Sequence, residues 1–418
     1  MLIPVFEWLR DLGMPGASVM EYVTFRAVMA FVFALIVTMF IGGKIIRYLR
    51  RKKIGDEPRD LGVAGLESKK GVPTMGGIII FAAIIVPVFL FCRLSNTYVW
   101  LLIGTTVVLT VLGFVDDYIK TFMHNKDGLS GKWKIVVQVL LGIFIGSTLY
   151  LSSDAVIREN TEMYTGEIVV VNISQEEIKS TKTTIPFVKE NNFDYSWIAS
   201  SLPEDWQQTA GWIIFIIATI IIVTGTSNGA NLTDGLDGLT AGISAIIGVG
   251  LMILSYVSSH IVFASYLNIM YVPGTEEVFV YTAAFTGACM GFLWYNGFPA
   301  KVFMGDTGSL MLGGLIAVIA IILHKEILLI LLCGVFLIEA ISVMIQTGYF
   351  KLSKKLTGTS VRVFKKTPLH HHFQHDAGEI KCLLDKPNRA WHEQTIVLRF
   401  WLISIILCAL AILTLKIR

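Results

Sequence analysis

Two adjacent carboxylates, Asp116 and Asp117, stand at the end of an apolar stretch, and Lys120 follows three to four residues later. On a helix these spacings bring the lysine ammonium within reach of either carboxylate. Adjacent carboxylates repel each other unless a cation or a proton intervenes. Mg²⁺ binds a few carboxylate oxygens and leaves room for phosphate. The pair therefore indicates a metal or general-base site, and a solvated helix end with an ordinary ion pair is the alternative.

A second acidic cluster contains Asn231, Asp234 and Asp237 at intervals of three residues. That spacing places the three side chains on one face if the segment is helical, whereas Gly235 and Gly238 also permit turns. The pattern differs from a calcium-binding loop. The interpretations are a polar site at the membrane edge or a simple polar turn between two apolar segments.

A third cluster surrounds Asp306, which lies between Gly305 and Gly308 and directly before an apolar run. A glycine-flanked helix N-terminus can bind phosphate. An acidic residue at that position favours contact with phosphate through a metal ion. The alternative is plain N-capping of the helix by Asp306 or Thr307.

Three consecutive histidines, His370, His371 and His372, form a fourth motif. The ligand spacings of structural zinc sites are absent, and no cysteine pair is near. Histidine titrates near neutral pH, so contact with phosphate or proton transfer is the favoured interpretation.

Two lysines, Lys69 and Lys70, precede a glycine-rich run that leads into an apolar stretch. This combination suits an anionic ligand, although the residue order of a P-loop is missing. A basic anchor on the cytoplasmic side of a membrane is the alternative.

The composition shows what kind of protein must position these groups. Of 418 residues, 54% are hydrophobic and 16% are charged, against roughly 25% charged in soluble domains. The mean hydropathy is +0.67. These values exclude a disordered chain and disfavour a soluble enzyme. The net charge of +3 is too small to indicate nucleic-acid binding, and five cysteines do not make a disulfide scaffold.

The apolar stretches predict an all-α polytopic membrane protein with about ten transmembrane helices. The predicted spans are 22–46, 76–93, 98–118, 135–151, 210–227, 238–257, 279–297, 308–323, 326–350 and 396–415. The first twenty residues lack the basic start of a signal peptide, and we expect a short interfacial helix there.

Lysine and arginine cluster after the first, third and ninth spans, so that side is cytoplasmic and both termini lie outside. The insert 152–206 carries ten acidic residues against four basic ones and is expected outside, as a small β-rich cap or a loose loop. We treat 1–418 as one transmembrane domain, with a cytoplasmic loop at 351–395 that carries the histidines. All the singled-out charges then fall at helix ends on the cytoplasmic face.

Carboxylates for Mg²⁺, together with lysines and histidines for phosphate, predict phosphoryl transfer from a soluble phosphate donor to a lipid acceptor. Positioning and charge neutralisation do most of the work in such reactions.

At this point the motifs resemble those of the polyprenyl-phosphate N-acetylhexosamine-1-phosphate transferase superfamily, and within it the phospho-N-acetylmuramoyl-pentapeptide transferases. The resemblance covers about 25–416. It rests on Pro73–Gly77, Gly113–Lys120, Asn231–Leu239, Asn296 to Ser309, Pro368–Phe373 and Arg399–Trp401.

The resemblance implies that UDP-N-acetylmuramoyl-pentapeptide and undecaprenyl phosphate react, with Mg²⁺, to give lipid I and UMP in a bacterial inner membrane. It implies catalytic roles for Asp116, Asp117, Lys120 and His370. Asp306, together with Asp117, is the implied metal ligand. The implied substrate-binding residues are Lys69, Lys70, Lys134, Asn231, Asp234, Asp237, Asn296, Phe303, His371 and His372.

Two departures from the family pattern are the long 152–206 insert and the stretch 374–389 after the histidines.

The alternative functions are a transferase for UDP-N-acetylglucosamine or another hexosamine and, more remotely, a secondary transporter. Transporters place their ion sites near the bilayer midplane, often between inverted repeats, whereas these acids cluster at helix ends on one side. The apolar helix faces are compatible with a membrane homodimer. The sequence leaves open whether the lipid phosphate attacks directly or through a covalent intermediate.

Overall fold

The computed structural model describes residues 1–52, 71–123, 125, 127–165, 168–187 and 192–416, and most of them are helical. The helices are α1 (Leu2–Asp11), α2 (Val23–Arg51), α3 (Gly77–Phe91), α4 (Thr97–Phe122), α5 (Gly131–Leu151), α6 (Glu204–Thr233), α7 (Leu239–Ser258), α8 (Ile261–Leu267), α9 (Thr275–Asn296), α10 (Asp306–Ile322), α11 (Leu329–Leu332), α12 (Gly334–Thr357), α13 (Leu369–His372) and α14 (Glu393–Leu413). The strands are β1 (Asn160–Thr165), β2 (Ile168–Ile173), β3 (Lys182–Thr184), β4 (Asn192–Asp194), β5 (Arg362–Phe364) and β6 (Cys382–Leu384).

Eight helices in the described ranges are long and apolar enough to cross a membrane: α2, α4, α5, α6, α7, α9, α12 and α14. Two further apolar helices, α3 and α10, are shorter. The chain is therefore a multi-pass helical membrane protein, as predicted. Before the first long helix the expected terminal helix is present as α1, followed by a 3₁₀ turn at Ala17–Glu21.

Helix α10 lies at the centre of the bundle, packed against α4, α6, α7 and α3. Every residue from Thr307 to Ile322 is buried. Its 17 residues span about 26 Å, which is less than the roughly 30 Å of a bilayer core. A helix enclosed by other helices can be short, because its ends meet protein and not lipid.

Close packing of α10 against α4 depends on glycine. A Cβ atom built on Gly113 of α4 would lie 2.2 Å from the carbonyl oxygen of Asp306. Small residues at such contacts let helix backbones approach each other in membranes. Gly113 thereby brings the end of α4, with its two carboxylates, against the first turn of α10.

The predicted span 326–350 is divided in the structure. A 3₁₀ turn (Glu326–Leu328) and α11 precede α12, which begins at Gly334 and continues to Thr357. Glycine weakens a helix interior, and Gly334 also packs closely on Leu407 of α14. Average hydropathy cannot reveal such a break, because both sides of it are apolar.

The insert contains two antiparallel strand pairs, β1 with β2 and β3 with β4. It docks on the end of α10 opposite Asp306. The amide of Thr184 donates to the carbonyl oxygen of His324 at 2.9 Å, and the buried ammonium of Lys325 donates to the Thr184 hydroxyl at 2.7 Å. The described part of the insert is thus anchored to the central helix.

A buried ion pair joins the first turns of α2 and α9. The guanidinium of Arg26 lies 2.7 Å from the carboxylate of Glu277, which also accepts a hydrogen bond from the amide of Arg93 at 2.8 Å. Because an unpaired charge at this position would be costly, this pair fixes the register of the two helices.

The segment after α12 is organised and compact. Strands β5 and β6 pair in parallel. The fully buried Lys365 donates to the carbonyl oxygens of His375 at 2.9 Å and Pro387 at 2.7 Å. These contacts tie both ends of the stretch 374–389 to Lys365, the residue that follows β5.

We expect Gly113→Ala to lower stability by about 1–3 kcal/mol, because the added methyl group meets rigid backbone. Gly104→Ala on the same helix is the matched control, since a Cβ atom there has no neighbour within 4 Å. Thermal unfolding in detergent should show a lower midpoint for Gly113→Ala alone. Equal midpoints for the two variants would contradict this packing argument.

Candidate active site

The predicted carboxylates Asp116 and Asp117 lie on the penultimate turn of α4, and both are buried. They meet Asp306, the first residue of α10. One carboxylate oxygen from each of the three residues lies within 4.8 Å of the other two. The fold therefore brings two of the sequence clusters, 190 positions apart along the chain, into one acidic centre.

Two lysines bridge the acidic centre. The ammonium of Lys120 lies 2.6 Å from Asp116 and 3.3 Å from Asp306. The ammonium of Lys134, on the first turn of α5, lies 2.9 Å from Asp116 and 2.6 Å from Asp306. Two ammonium groups offset only part of the charge of three carboxylates, so the centre retains an attraction for a further cation.

Asp117 caps α10 from outside that helix. Its carboxylate accepts hydrogen bonds from the amides of Asp306 (3.1 Å) and Thr307 (2.9 Å), and from the Thr307 hydroxyl (2.6 Å). The N-cap position itself is Gly305, which has a φ of 72° and no capping side chain. The alternative in which Asp306 or Thr307 caps the helix is therefore wrong, because a neighbouring helix supplies the acceptor.

The second acidic cluster is a turn and not a continuous helical face. Helix α6 ends at Thr233, and Gly238 has a φ of 76°. The one-face arrangement of Asn231, Asp234 and Asp237 therefore does not hold: Asn231 lies on the helix and both aspartates lie in the turn.

Hydrogen bonds nevertheless tie the end of α6 and this turn to α10 and to the segment before it. Asn231 donates to the Ser309 hydroxyl at 2.9 Å, and Asp237 accepts from the amide of Ala300 at 2.9 Å. Asn296 accepts from the amide of Gly238 at 3.1 Å and donates to the carbonyl oxygen of Val302 at 2.9 Å. Three of the predicted substrate-binding residues thus also hold the site together.

Asp234 shows how concentrated the negative charge is. Burial, together with the carboxylates of Asp306, Asp117 and Asp237, raises the pKa of Asp234 to about 8. A divalent cation relieves such crowding by favouring the ionised forms.

The glycine-rich run pairs with the segment that leads to Asp306. Gly76 donates to the carbonyl oxygen of Phe303 at 2.8 Å, and Phe303 donates to that of Pro73 at 2.8 Å. The half-buried Phe303 is thereby placed three residues before Asp306. The predicted Lys69 and Lys70 lie outside the described residues.

The three histidines have different surroundings. His370 is fully buried, and a Cβ atom built on Gly235 would lie 2.2 Å from its Nε2, so it borders the acidic turn. His371 contacts Gln374 through Nδ1 at 2.7 Å. Burial and the neighbouring His370 lower the pKa of His371 to about 3, which keeps this ring neutral at pH 7.

His372 holds the chain around it. Its Nδ1 accepts from the amide of Lys365 at 3.1 Å, so Nε2 carries the proton that points to the carbonyl oxygen of Lys386 at 2.7 Å. Both ring nitrogens are thus engaged by the backbone of the 365–386 segment.

Two buried polar residues near the site, Gln138 and Ser227, were not singled out from the sequence. Gln138, one turn after Lys134, is fully buried; it donates to Ser227 at 3.0 Å and accepts from Asn228 at 2.8 Å. Ser227 in turn donates to the carbonyl oxygen of Leu310 on α10 at 2.9 Å. This network sets the rotation of α5, and therefore the position of Lys134. A polar side chain inside a predicted span was the available signal.

The donor set fits a hard divalent cation, because its ligand atoms are all carboxylate oxygens. A carboxylate has about four lone-pair positions, so Asp117 can cap α10 and still offer a lone pair to a metal ion. Such an ion would neutralise charge on phosphate groups in the site.

We expect Asp306→Asn to weaken Mn²⁺ binding at least tenfold, since the variant removes one of three carboxylates. Binding is measured by the electron paramagnetic resonance signal of free Mn²⁺ in titrations of the purified protein. Asp127→Asn is the control, because Asp127 is exposed in the neighbouring loop. Unchanged affinity in Asp306→Asn, or an equal loss in the control, would refute this assignment.

Comparison with known proteins agrees with this geometry. The sequence profile of Glycosyl transferase family 4 matches residues 99–324, which include the acidic centre but end before the histidines. Proteins named phospho-N-acetylmuramoyl-pentapeptide-transferase match over the full length of both chains. The identity is 54% for those of Porphyromonas gingivalis and Parabacteroides distasonis and 52% for that of Bacteroides thetaiotaomicron.

Because the alignments cover all of each chain, these relatives share the length of this protein. Full-length identity above 50% also argues against the transporter and the sister-sugar alternatives. A buried helix whose first turn carries an acidic centre, in a chain with such relatives, shows that this protein belongs to the phospho-N-acetylmuramoyl-pentapeptide transferase family of membrane phospho-sugar transferases.

Proposed function

We propose that this chain transfers phospho-N-acetylmuramoyl-pentapeptide from its UDP derivative to undecaprenyl phosphate, giving lipid I and UMP. The observation that carries the proposal is the lysine-bridged acidic centre at the N-terminus of α10. Two phosphate-bearing substrates must approach each other there against strong charge repulsion. Positioned cations are the means by which phosphoryl transfer overcomes this repulsion.

In this proposal Asp306 and Asp117 would hold Mg²⁺, which would supply positive charge to offset the diphosphate of the donor. Lys120 and Lys134 neutralise charge as the bond to UMP breaks, because both ammonium groups already lie beside Asp306. Asp116 is placed to act as the base or nucleophile, since it contacts both ammonium groups and does not cap a helix.

The surrounding residues are assigned to the donor. Asn231, Asp234, Asp237 and Asn296 shape the nucleotide region, and Phe303 offers an aromatic face to uracil. His370 borders the turn at 234–238, and we assign it, with His371 and His372, to the sugar or the peptide of the donor. Lys69 and Lys70 retain their sequence-based assignment to the donor phosphates.

The acceptor reaches the site from the membrane. α4 ends beside the acidic centre, and its exposed side presents Phe114, Tyr118 and Phe122 as a stacked series of rings. A lipid phosphate at the level of Asp116 would therefore remain within the bilayer boundary. This placement is compatible both with direct attack by the lipid phosphate and with a route through a covalent aspartyl intermediate.

We further propose ten spans, with both termini outside and the acidic centre on the cytoplasmic face of a bacterial inner membrane. Arg50 and Arg51 end α2, and Arg50 contacts the carbonyl oxygen of Lys301 at 3.4 Å near the site. Lys354 and Lys355 end α12. These basic helix ends favour a cytoplasmic location. The insert 152–206 then lies outside. The apolar faces of the lipid-facing helices are compatible with a membrane homodimer.

The test is UMP release by the detergent-purified protein with undecaprenyl phosphate and Mg²⁺. UDP-N-acetylmuramoyl-pentapeptide and UDP-N-acetylglucosamine are offered in separate reactions. We expect turnover of the first donor only, its abolition by EDTA and its recovery with excess Mg²⁺. Asp306→Asn should lose at least 100-fold in rate, whereas Asp127→Asn should retain it.

Turnover of UDP-N-acetylglucosamine alone would move the protein to the sister branch and contradict the proposed substrate. Failure of both donors in a folded sample, or full activity in EDTA, would contradict the proposed reaction.

A further inference from the structure

Helix α12 carries a single acidic residue, Glu339, and its side chain is fully buried. A carboxylate within an apolar membrane helix is costly and usually functional. Glu339 has no place among the metal ligands or among the residues assigned above to the substrates. Its surroundings therefore require a separate explanation.

Both oxygens of Glu339 lie on one partner, His370. The backbone amide of His370 donates to Oε1 at 3.1 Å, with Oε2 at 3.4 Å. The ring Nδ1 of His370 lies 3.3 Å from Oε2. The carboxylate thus accepts hydrogen bonds from the backbone at the start of α13 and lies against one edge of the imidazole.

The opposite edge of the same ring faces the acidic turn. Nε2 of His370 packs against Gly235. Both ring nitrogens are buried and neither makes a hydrogen bond within the described residues, but Nδ1 has the 3.3 Å ionic contact with Oε2 of Glu339. The carboxylate of the neighbouring Asp234 lies close enough to Gly305, Asp306 and Asp117 to interact with them electrostatically. One edge of His370 therefore lies against Glu339 of α12, while the other is directed at the turn at 234–238, whose Asp234 is close to Asp306 and Asp117.

We propose that Glu339 is a positioning residue that orients His370 for the reaction. The negative charge of Oε2 beside Nδ1 favours a proton on that nitrogen. It thereby reserves Nε2 for a polar group of the bound donor. Carboxylates orient the histidine ligands of metals and the histidines of catalytic triads in the same way. The inference rests on the proposed function and adds a residue to it.

Helix packing alone does not explain why a carboxylate stands at position 339. An apolar side chain would fill the same space without the cost of removing a charge from water. Gly235 also bears on the argument, because any side chain there would occupy the position of Nε2. Both neighbours of the ring thus favour one orientation.

The test is a double-mutant cycle on UMP release, with Glu339→Gln, His370→Ala and the double variant. We expect Glu339→Gln to lower kcat about 10- to 100-fold with a smaller change in KM, since misplaced groups cost that much. In the His370→Ala background the same change should alter kcat less than twofold. Glu339→Asp, which retains the charge, should recover part of the activity.

Ser342→Ala is the matched control on the same helix turn, because its hydroxyl bonds the backbone carbonyl of Glu339 and not the carboxylate. It should retain activity. Equal losses for Glu339→Gln in both backgrounds would overturn the inference and leave the proposed function intact. Full activity of Glu339→Gln would also overturn it. If Glu339→Gln unfolds, Glu339→Asp in the two His370 backgrounds provides the same comparison.

A structure of the Glu339→Gln protein gives a readout that does not depend on catalysis. We expect the His370 ring to leave its position against Gly235. An unmoved ring would contradict the positioning role, whether or not the protein turns over either donor. Absence of turnover in the wild-type protein would contradict only the proposed function.

Discussion

The structure depends on how the free backbone amides at the N-terminus of the buried helix α10 find hydrogen-bond acceptors. The first amides of α10 have no partners within the helix. The Asp117 carboxylate from α4 accepts from two of these amides and from the Thr307 hydroxyl. A negative charge at this end also complements the helix dipole. One contact therefore satisfies the helix, fixes α4 against α10 and places Asp306 beside Asp116.

The rest of the site follows from this contact. With Asp306 fixed, Lys120 and Lys134 can each reach two carboxylates. The network through Gln138 and Ser227 connects the helix of Lys134 back to α10. The centre is rigid because each of its charged groups is held by at least one neighbour from another helix. That rigidity is what catalysis by positioning and charge neutralisation requires.

Much of this could be predicted from the sequence, since charges that interrupt apolar runs stand out. The acidic pair and Asp306 stand out in that way, whereas the histidines stand out as three consecutive residues. The capping role of Asp117 could not be predicted, because it is a contact between distant segments. The turn at 234–238 was ambiguous, as spacing by three suits a helix and glycine suits a turn. Glu339 is visible in the sequence as a lone carboxylate within a predicted membrane span. An average of hydropathy over a window of residues conceals it, because one charge is outweighed by many apolar residues.

The most direct test of this account compares Thr307→Val with Thr307→Ser in the UMP-release assay. Valine keeps the shape of threonine but removes the hydroxyl that donates to Asp117, whereas serine retains that donor. A hydrogen bond to a charged group contributes about 1.5–3 kcal/mol, so Thr307→Val should lose roughly tenfold to a hundredfold in kcat. Thr307→Ser should stay within about threefold of the wild type. Equal rates for the two folded variants would contradict the central place given to the cap.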